Sequence, residues 1–132
     1  MKVTDFAFVG HPVASLRRAR GFYEGILGLT TPVALDGELD GDQGFLEYSV
    51  GAGTLAITTT WSGGKPPETA AFGLVLEVED FDEAVEHLAK HGVAFELGPF
   101  KGPTCAIAVI SDPDGNKIGI HKLSSRPASP EA

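Results

Sequence analysis

The chain repeats itself. A stretch from Leu16 to Leu27 carries apolar residues at helical spacing, ends in Leu27-Gly28-Leu29 and leads into β-rich runs; Phe81 to His91 ends in His91-Gly92-Val93 and does the same. Gly92 stands 64 residues after Gly28 (92 − 28). Either repeat alone would leave an apolar face in water, so the two must be completed together, and a site is expected between them. A length of 132 residues suits one domain built of two similar modules rather than two independent domains. The modules are expected at 1–61 and 71–123, joined by a Gly- and Pro-rich linker at 62–70. The tail 124–132 has nothing larger than alanine or proline to bury and is expected to be disordered.

Each repeat reads strand, helix, strand, strand, strand. In the first, Val3 to Val9 is a strand; Leu16, Ala19, Phe22, Tyr23, Ile26 and Leu27 share one helical face, and Gly28 ends the helix. A short strand near Val33 precedes an acidic loop running to Gly44 that is expected to be mobile, then strands at Phe45 to Val50 and Thr54 to Thr60. In the second, Ala71 to Val78 is a strand and Asp80 caps a helix whose buried stripe is Phe81, Ala84, Val85 and Leu88. Val93 to Leu97, Thr104 to Ser111 and Lys117 to Leu123 follow, the last two joined by Asp112-Pro113-Asp114-Gly115-Asn116, a turn that proline and glycine dictate. The predicted fold class is α+β: two tandem βαβββ modules forming a curved mixed sheet around a cleft.

A net charge of −8 disfavours nucleic acid and anionic membrane surfaces. No apolar run reaches the ~18 residues of a membrane helix, and the N-terminus lacks a signal-peptide pattern, which predicts a cytoplasmic protein with no membrane partner. Cys105 is the single cysteine, so neither an intrachain disulfide nor a thiolate cluster is available, and its apolar neighbours make it an inert thiol.

Strand alternation sorts the inner strands into two faces. Phe6 and Phe8, Leu55 and Ile57, Leu74 and Leu76, and Ile118 and Ile120 are expected beneath the helices. The opposite face carries Asp5, Ala7 and Val9; Thr54, Ala56, Thr58 and Thr60; Gly73, Val75 and Glu77; Lys117, Gly119 and His121. Its central residues are small, so the strands should enclose unfilled space, the usual form of a small-molecule site.

With the modules laid out, Ala19-Arg20-Gly21-Phe22-Tyr23-Glu24-Gly25-Ile26-Leu27-Gly28-Leu29, Glu77-Val78-Glu79-Asp80-Phe81-Asp82-Glu83-Ala84 and Ser111-Asp112-Pro113-Asp114-Gly115-Asn116 stand in the order found in the vicinal oxygen chelate superfamily. The chain resembles that superfamily, of glyoxalase I, extradiol dioxygenases and bleomycin-resistance proteins, over residues 2 to 123. The resemblance implies the paired-module fold, and it implies that a metalloenzyme of this kind would carry His or Glu at four converging positions. Here those are Asp5, Ala56, Gly73 and Gly119, three of them without a donor atom. A lone carboxylate does not hold a catalytic metal, so no metal ligand and no cofactor is assigned.

The expectation is therefore a glyoxalase- or bleomycin-resistance-like protein that binds a small organic molecule in its cleft, without metal, as a homodimer. The ligand-binding set is Asp5, Glu47, Ala56, Thr58, Thr60, Trp61, Gly73, Gly119 and His121, with Phe45, Tyr48, Trp61, Phe72 and Phe100 as stacking rings. His121 and Asp5 are the candidate catalytic residues, Asp5 alternatively pairing with Lys117 on the same face. The alternative is an enzyme, a lyase, isomerase or dioxygenase, holding a divalent metal through Glu47, His121 and Asp5. A third reading is an interaction module whose cleft serves only self-association. His87 and His91 have i, i+4 spacing but read as a solvated helix face, and His11 reads as a surface loop residue.

Overall fold

The computed structural model describes residues 2, 4, 7–60, 72–103 and 105–123. The expected linker at 62–70 and tail at 124–132, with Asp5, Phe6 and Trp61, lie outside the described residues. The chain divides into two compact units, each with a four-stranded sheet and one helix, as an α+β fold of two βαβββ modules requires. The strands form two four-stranded mixed sheets, one in each unit. The first unit holds the described residues up to Thr60 together with Asp112–Asn116, and the second holds Phe72–Ser111 and Lys117–Leu123. The turn that joins the last two strands thus belongs to the first unit.

In the first unit β1 (Val9–Pro12), α1 (Leu16–Tyr23), β2 (Val33–Asp36), β3 (Phe45–Val50) and β4 (Gly53–Thr58) form a sheet in the order β1-β4-β3-β2. β1 runs parallel to β4 and the other pairs are antiparallel. Leu46, Tyr48, Leu55 and Ile57 form the buried face, covered by Leu16, Ala19, Phe22 and Tyr23 of α1. Each such side chain, fully buried, stabilises the fold by roughly 1.5–3 kcal/mol.

Three expectations change here. Among the described residues the first strand is Val9–Pro12, from Val9 opposite Leu55 to Pro12 opposite Thr58, and residues 7 and 8 lie outside it; Val3, Asp5 and Phe6 of the expected strand lie outside the described residues. Phe8 is therefore not core; it is 41% exposed, edge-on to Phe45. The helix stops at Tyr23 rather than Leu27, because Gly25 comes so close to Gly21 that a Cβ would lie 2.4 Å from its carbonyl oxygen, and Leu27 N–H turns to Phe22 O, five residues back. Gly28 has the expected positive φ, +77°.

The acidic loop is anchored rather than free. Ser15 caps α1 by accepting from Arg18 N–H and donates its hydroxyl to Asp42, whose carboxylate also accepts from Arg17 N–H at 3.2 Å. The Ser15 hydroxyl and the Arg17 amide hold the Asp42 carboxyl below its usual range.

In the second unit β5 (Phe72–Glu77), α2 (Phe81–Lys90), β6 (Phe95–Lys101), β7 (Cys105–Ser111) and β8 (Lys117–Leu123) repeat the arrangement, with sheet order β5-β8-β7-β6 and β5 parallel to β8. Asp80 caps α2 as expected, accepting from Glu83 N–H at 3.1 Å. At the other end Gly92, φ +74°, allows Gly92 N–H to reach Ala89 O and Val93 N–H to reach Leu88 O, the paired bonds of a Schellman closure. Ala106, Ala108, Ile110, Ile118, Ile120, Phe81 and Leu88 are the buried set, while Leu74 and Leu76 are only half-buried. β6 runs on to Lys101 instead of ending at Leu97, and does so through two register shifts.

Candidate functional site

The second sheet turns one face to α2 and the other away from it, and the register lays the second face out in rows. Phe100, Ile107, His121 and Glu77 are cross-strand partners in one row, and Leu97, Val109, Gly119 and Val75 in the next. Ser111 and Lys117 follow. Val75 on the outer strand β5 and Leu97 and Phe100 on the opposite outer strand β6 are 53%, 52% and 55% exposed, a high exposure for large apolar side chains of one sheet face. Gly119 is the low point of its row; a Cβ there would lie 3.1 Å from Val75 Cγ2.

Polar groups flank the apolar row on both sides. His121 Nδ1 lies 2.5 Å from Glu77 Oε1. Because a carboxylate only accepts, this bond places a proton on Nδ1, which in the neutral ring leaves Nε2 as an acceptor, and no described residue bonds to Nε2. On the far side Lys117 Nζ contacts Glu96 and lies 3.0 Å from Ser111 Oγ. Glu96, hydrogen-bonded by Lys117 and then by Ser111, has its carboxyl held below the usual range. Lys117 is accordingly engaged within its own sheet.

The remaining expected site residues divide. Gly73 is exposed, with no atom within 4 Å of a built Cβ, and its φ of +150° lies where L side chains are strained. Glu47 sits half-buried on β3 beside Ala56, on the face away from α1. Ala56 and Thr58 are fully buried. Thr58 Oγ1 donates to Gly44 O at 3.1 Å and lies 2.7 Å from Thr60 Oγ1, so its hydroxyl is committed to the loop it holds. Thr60 is exposed. Of the expected stacking rings, Phe100 is available; Tyr48 is core, its hydroxyl donating to Glu24 Oε2 at 2.8 Å. Arg20 bonds the same carboxylate at 2.5 and 3.0 Å and holds Glu24 below the usual carboxyl range. Cys105 is half-buried.

His11 is not a surface loop residue. It lies in β1 opposite Ile57, fully buried, with Nδ1 2.7 Å from Tyr23 Oη. Tyr23 donates to Asp112 Oδ2, which also accepts from Asn116 Nδ2 at 2.7 Å; Asp112 Oδ1 accepts the backbone N–H groups of Asp114 and Asn116. Asn116 Nδ2 further donates to Pro12 O at 2.9 Å. His11 Nε2 is buried with no partner. Burial lowers the His11 pKa, partly offset by Asp112, and burial raises that of Tyr23 well above its ordinary value. The motif that reads as a turn is also the acceptor of a buried network.

An open pocket of about 330 Å³ lies beside the start of α2, lined by Glu79, Asp80, Asp82, Lys101 and Lys122 among others. Its charges pair across it, Lys101 with Asp82 at 2.5 Å. His87 and His91 lie with ring centroids 4.4 Å apart, and among the described residues no group of three potential metal ligands forms there or elsewhere. Among the described residues no helix is long and apolar enough to cross a membrane.

Known proteins agree with this architecture. The family model described as the Glyoxalase/Bleomycin resistance protein/Dioxygenase superfamily matches residues 6–120. Lactoylglutathione lyase of Escherichia coli O157:H7 is 32% identical over 112 residues, covering 80% of this chain and 83% of that protein. The Neisseria meningitidis serogroup A enzyme of the same name is 34% identical over 116 residues, covering 80% and 81%. Among solved structures, TnmS3, an antibiotic binding protein from Streptomyces sp. CB03234, superposes with a TM-score of 0.72 at 27% identity, covering 94% of this chain and 99% of that one. A glyoxalase/bleomycin resistance protein from the same Streptomyces has a TM-score of 0.66 at 30% identity, covering 88% and 98%. The chain belongs to the glyoxalase/bleomycin resistance protein/dioxygenase superfamily.

Proposed function

We propose that this protein binds a small, largely apolar organic molecule without the help of a metal. The observation that carries the reading is the chemistry of three positions: Ala56, Gly73 and Gly119 stand where the resemblance places metal ligands, and none has a donor atom. A catalytic metal site needs about three protein ligands, and Asp5 alone would offer one. Gly73 compounds the mismatch, since its backbone disfavours any side chain. The apolar rows around Val75, Leu97 and Phe100 supply surface for an organic ligand. The likeness to TnmS3 points the same way.

The expected ligand set remains Asp5, Glu47, Ala56, Thr58, Thr60, Trp61, Gly73, Gly119 and His121. Buried Ala56 and Thr58 shape the sheet, whereas Gly73, Gly119 and His121 meet the ligand. A cytoplasmic homodimer belongs to the same reading; Val33 and Leu35 on the edge strand β2 are apolar area that a second copy would cover.

The test is elemental analysis of protein purified without chelator, alongside calorimetric titration with a panel of aromatic antibiotics. Substoichiometric nickel, zinc, manganese and iron with saturable binding of an antibiotic is the expected result. Stoichiometric metal that is lost in His121→Ala overturns it.

The lactoylglutathione lyases among the relatives favour one second reading: a metal-dependent lyase, isomerase or dioxygenase with an atypical ligand set drawn from Asp5, Glu47 and His121. Lactoylglutathione lyase activity that appears on adding nickel or zinc would decide for it.

A further inference from the structure

Resting on the small-molecule reading above, we infer that the His121–Glu77 pair selects ligands bearing a weakly acidic hydroxyl, of the phenol or enol class, whose flat body lies across Val75, Gly119 and Leu97. The geometry is that of an oriented base. Glu77 Oε1 accepts the hydrogen bond of His121 Nδ1–H at 2.5 Å, and in the neutral ring this fixes the tautomer, so the Nε2 lone pair belongs to a residue on the same sheet face as the exposed apolar side chains. His121 is held from its backbone as well, its carbonyl accepting Val78 N–H at 2.9 Å. An acceptor nitrogen beside apolar surface calls for one donor on an otherwise apolar ligand.

Charge narrows the class further. A carboxylate or phosphate would meet the Glu77 carboxylate and a chain of net charge −8, and Lys117, the cation of this face, is occupied by Glu96 and Ser111. A neutral hydroxyl avoids that repulsion on approach. Once bound, it passes its proton to His121 Nε2: the ligand O–H bond breaks, an N–H bond forms, and the resulting imidazolium is stabilised by Glu77 while facing the new oxyanion. Ile107 and Phe100 continue the row of His121 as apolar surface for the ligand body. Glu77 acts as a positioning residue and His121 as the group that touches the ligand.

The experiment compares 7-hydroxycoumarin with 7-methoxycoumarin, which have the same ring system and differ in the donor, by fluorescence titration of the intact protein. The hydroxyl form is expected to bind about tenfold more tightly, and His121→Phe to abolish that difference between the two coumarins. The pH at which bound 7-hydroxycoumarin ionises should lie below its value in solution and move upward in Glu77→Gln. Thermal melting of both variants verifies their folding. Equal affinity of the wild-type protein for the two coumarins, or a preference that survives in His121→Phe, overturns the inference and leaves the small-molecule reading standing. Failure of both coumarins to bind overturns the inference, and the antibiotic titrations then decide the small-molecule reading separately.

Discussion

Tyr23 donates its phenolic hydrogen to Asp112 at 2.8 Å, although the two residues stand 89 positions apart in the chain. The same oxygen is then left to accept from His11 Nδ1 at 2.7 Å, so a single hydroxyl joins β1, α1 and the turn at 112–116. Replacing Tyr23 with Phe preserves the ring but removes both bonds. Asp112 would keep three other donors, whereas the buried His11 Nδ1 would have none. A stranded buried donor costs roughly 1–3 kcal/mol. Tyr23→Phe should therefore lower the urea midpoint and reduce Tm by roughly 4 °C per kcal/mol for a chain of this size. A loss below about 0.5 kcal/mol would show that the network adds little to stability.

The same network makes stability depend on pH at both ends. Burial lowers the His11 pKa from 6.5, so the unfolded chain takes up a proton near pH 6.5 that the folded chain refuses. The unfolded state then binds more protons, and stability is complete above pH 6.5 and falls as pH drops toward the folded pKa, by at most about 1.4 kcal/mol per unit from this group. Tyr23 works in the opposite sense. Its pKa is raised from 10.0, so the unfolded chain loses a proton that the folded chain retains, and stability falls as pH rises above 10. Urea titrations at pH 8, 6.5 and 5 should show the acid limb in the wild-type protein and a flatter one in His11→Gln.

The two helix caps differ in what else they hold. Asp80 bonds one amide of α2, Glu83 N–H. Ser15 bonds Arg18 N–H and also donates to Asp42, which ties down the loop before β3. Asp80→Ala should cost about 1 kcal/mol, as an ordinary cap does. Ser15→Ala should cost more, about 2 kcal/mol, because Asp42 loses its donor as well. Equal losses in paired denaturant curves would mean that the loop contact carries no stability.

What the sequence made legible and what it did not have the same physical origin. Period-two alternation and apolar strands identified β3 and β8 to the residue, and Gly92 and Asp80 marked the ends of α2, because in these cases local chemistry and tertiary packing agree. In the described residues the first strand starts at Val9 and runs past the expected end to Pro12, because alternation in Ala7-Phe8-Val9 does not set a boundary and only pairing with β4 selects Val9–Pro12. His11 gave no local sign of burial, since its partners come from α1 and from a turn more than a hundred residues later. Of the expected face, Val75, Gly119 and His121 do lie together with Glu77, whereas Gly73 falls in the register shift between Phe72 and Leu74. Ala56 and Thr58 pointed to an open wall by alternation alone, which does not register the loop that Thr58 binds. Leu97 was missed because the register shifts in β6 break the period that would have revealed it.

Gly73 and Gly119 make opposite demands, and this gives a discriminating test of why donors are absent at these positions. At Gly73 a Cβ would meet nothing within 4 Å, yet φ is +150°; at Gly119 the backbone is ordinary, but a Cβ would lie 3.1 Å from Val75 Cγ2 and 3.3 Å from Cγ1. Steric space alone predicts that Gly73→Ala is harmless and Gly119→Ala costly. Backbone energetics predict the reverse, because an L residue in a glycine region costs about 1–3 kcal/mol whatever the room around it. Val75, half exposed, can turn away from a new methyl group, which limits the cost at Gly119 to about 1 kcal/mol or less. Denaturant curves of the two variants should therefore show the larger loss for Gly73→Ala. The same ranking would mean that a histidine or glutamate cannot be restored at Gly73 without rebuilding the backbone of β5, whereas Gly119 could accept one by moving a single side chain.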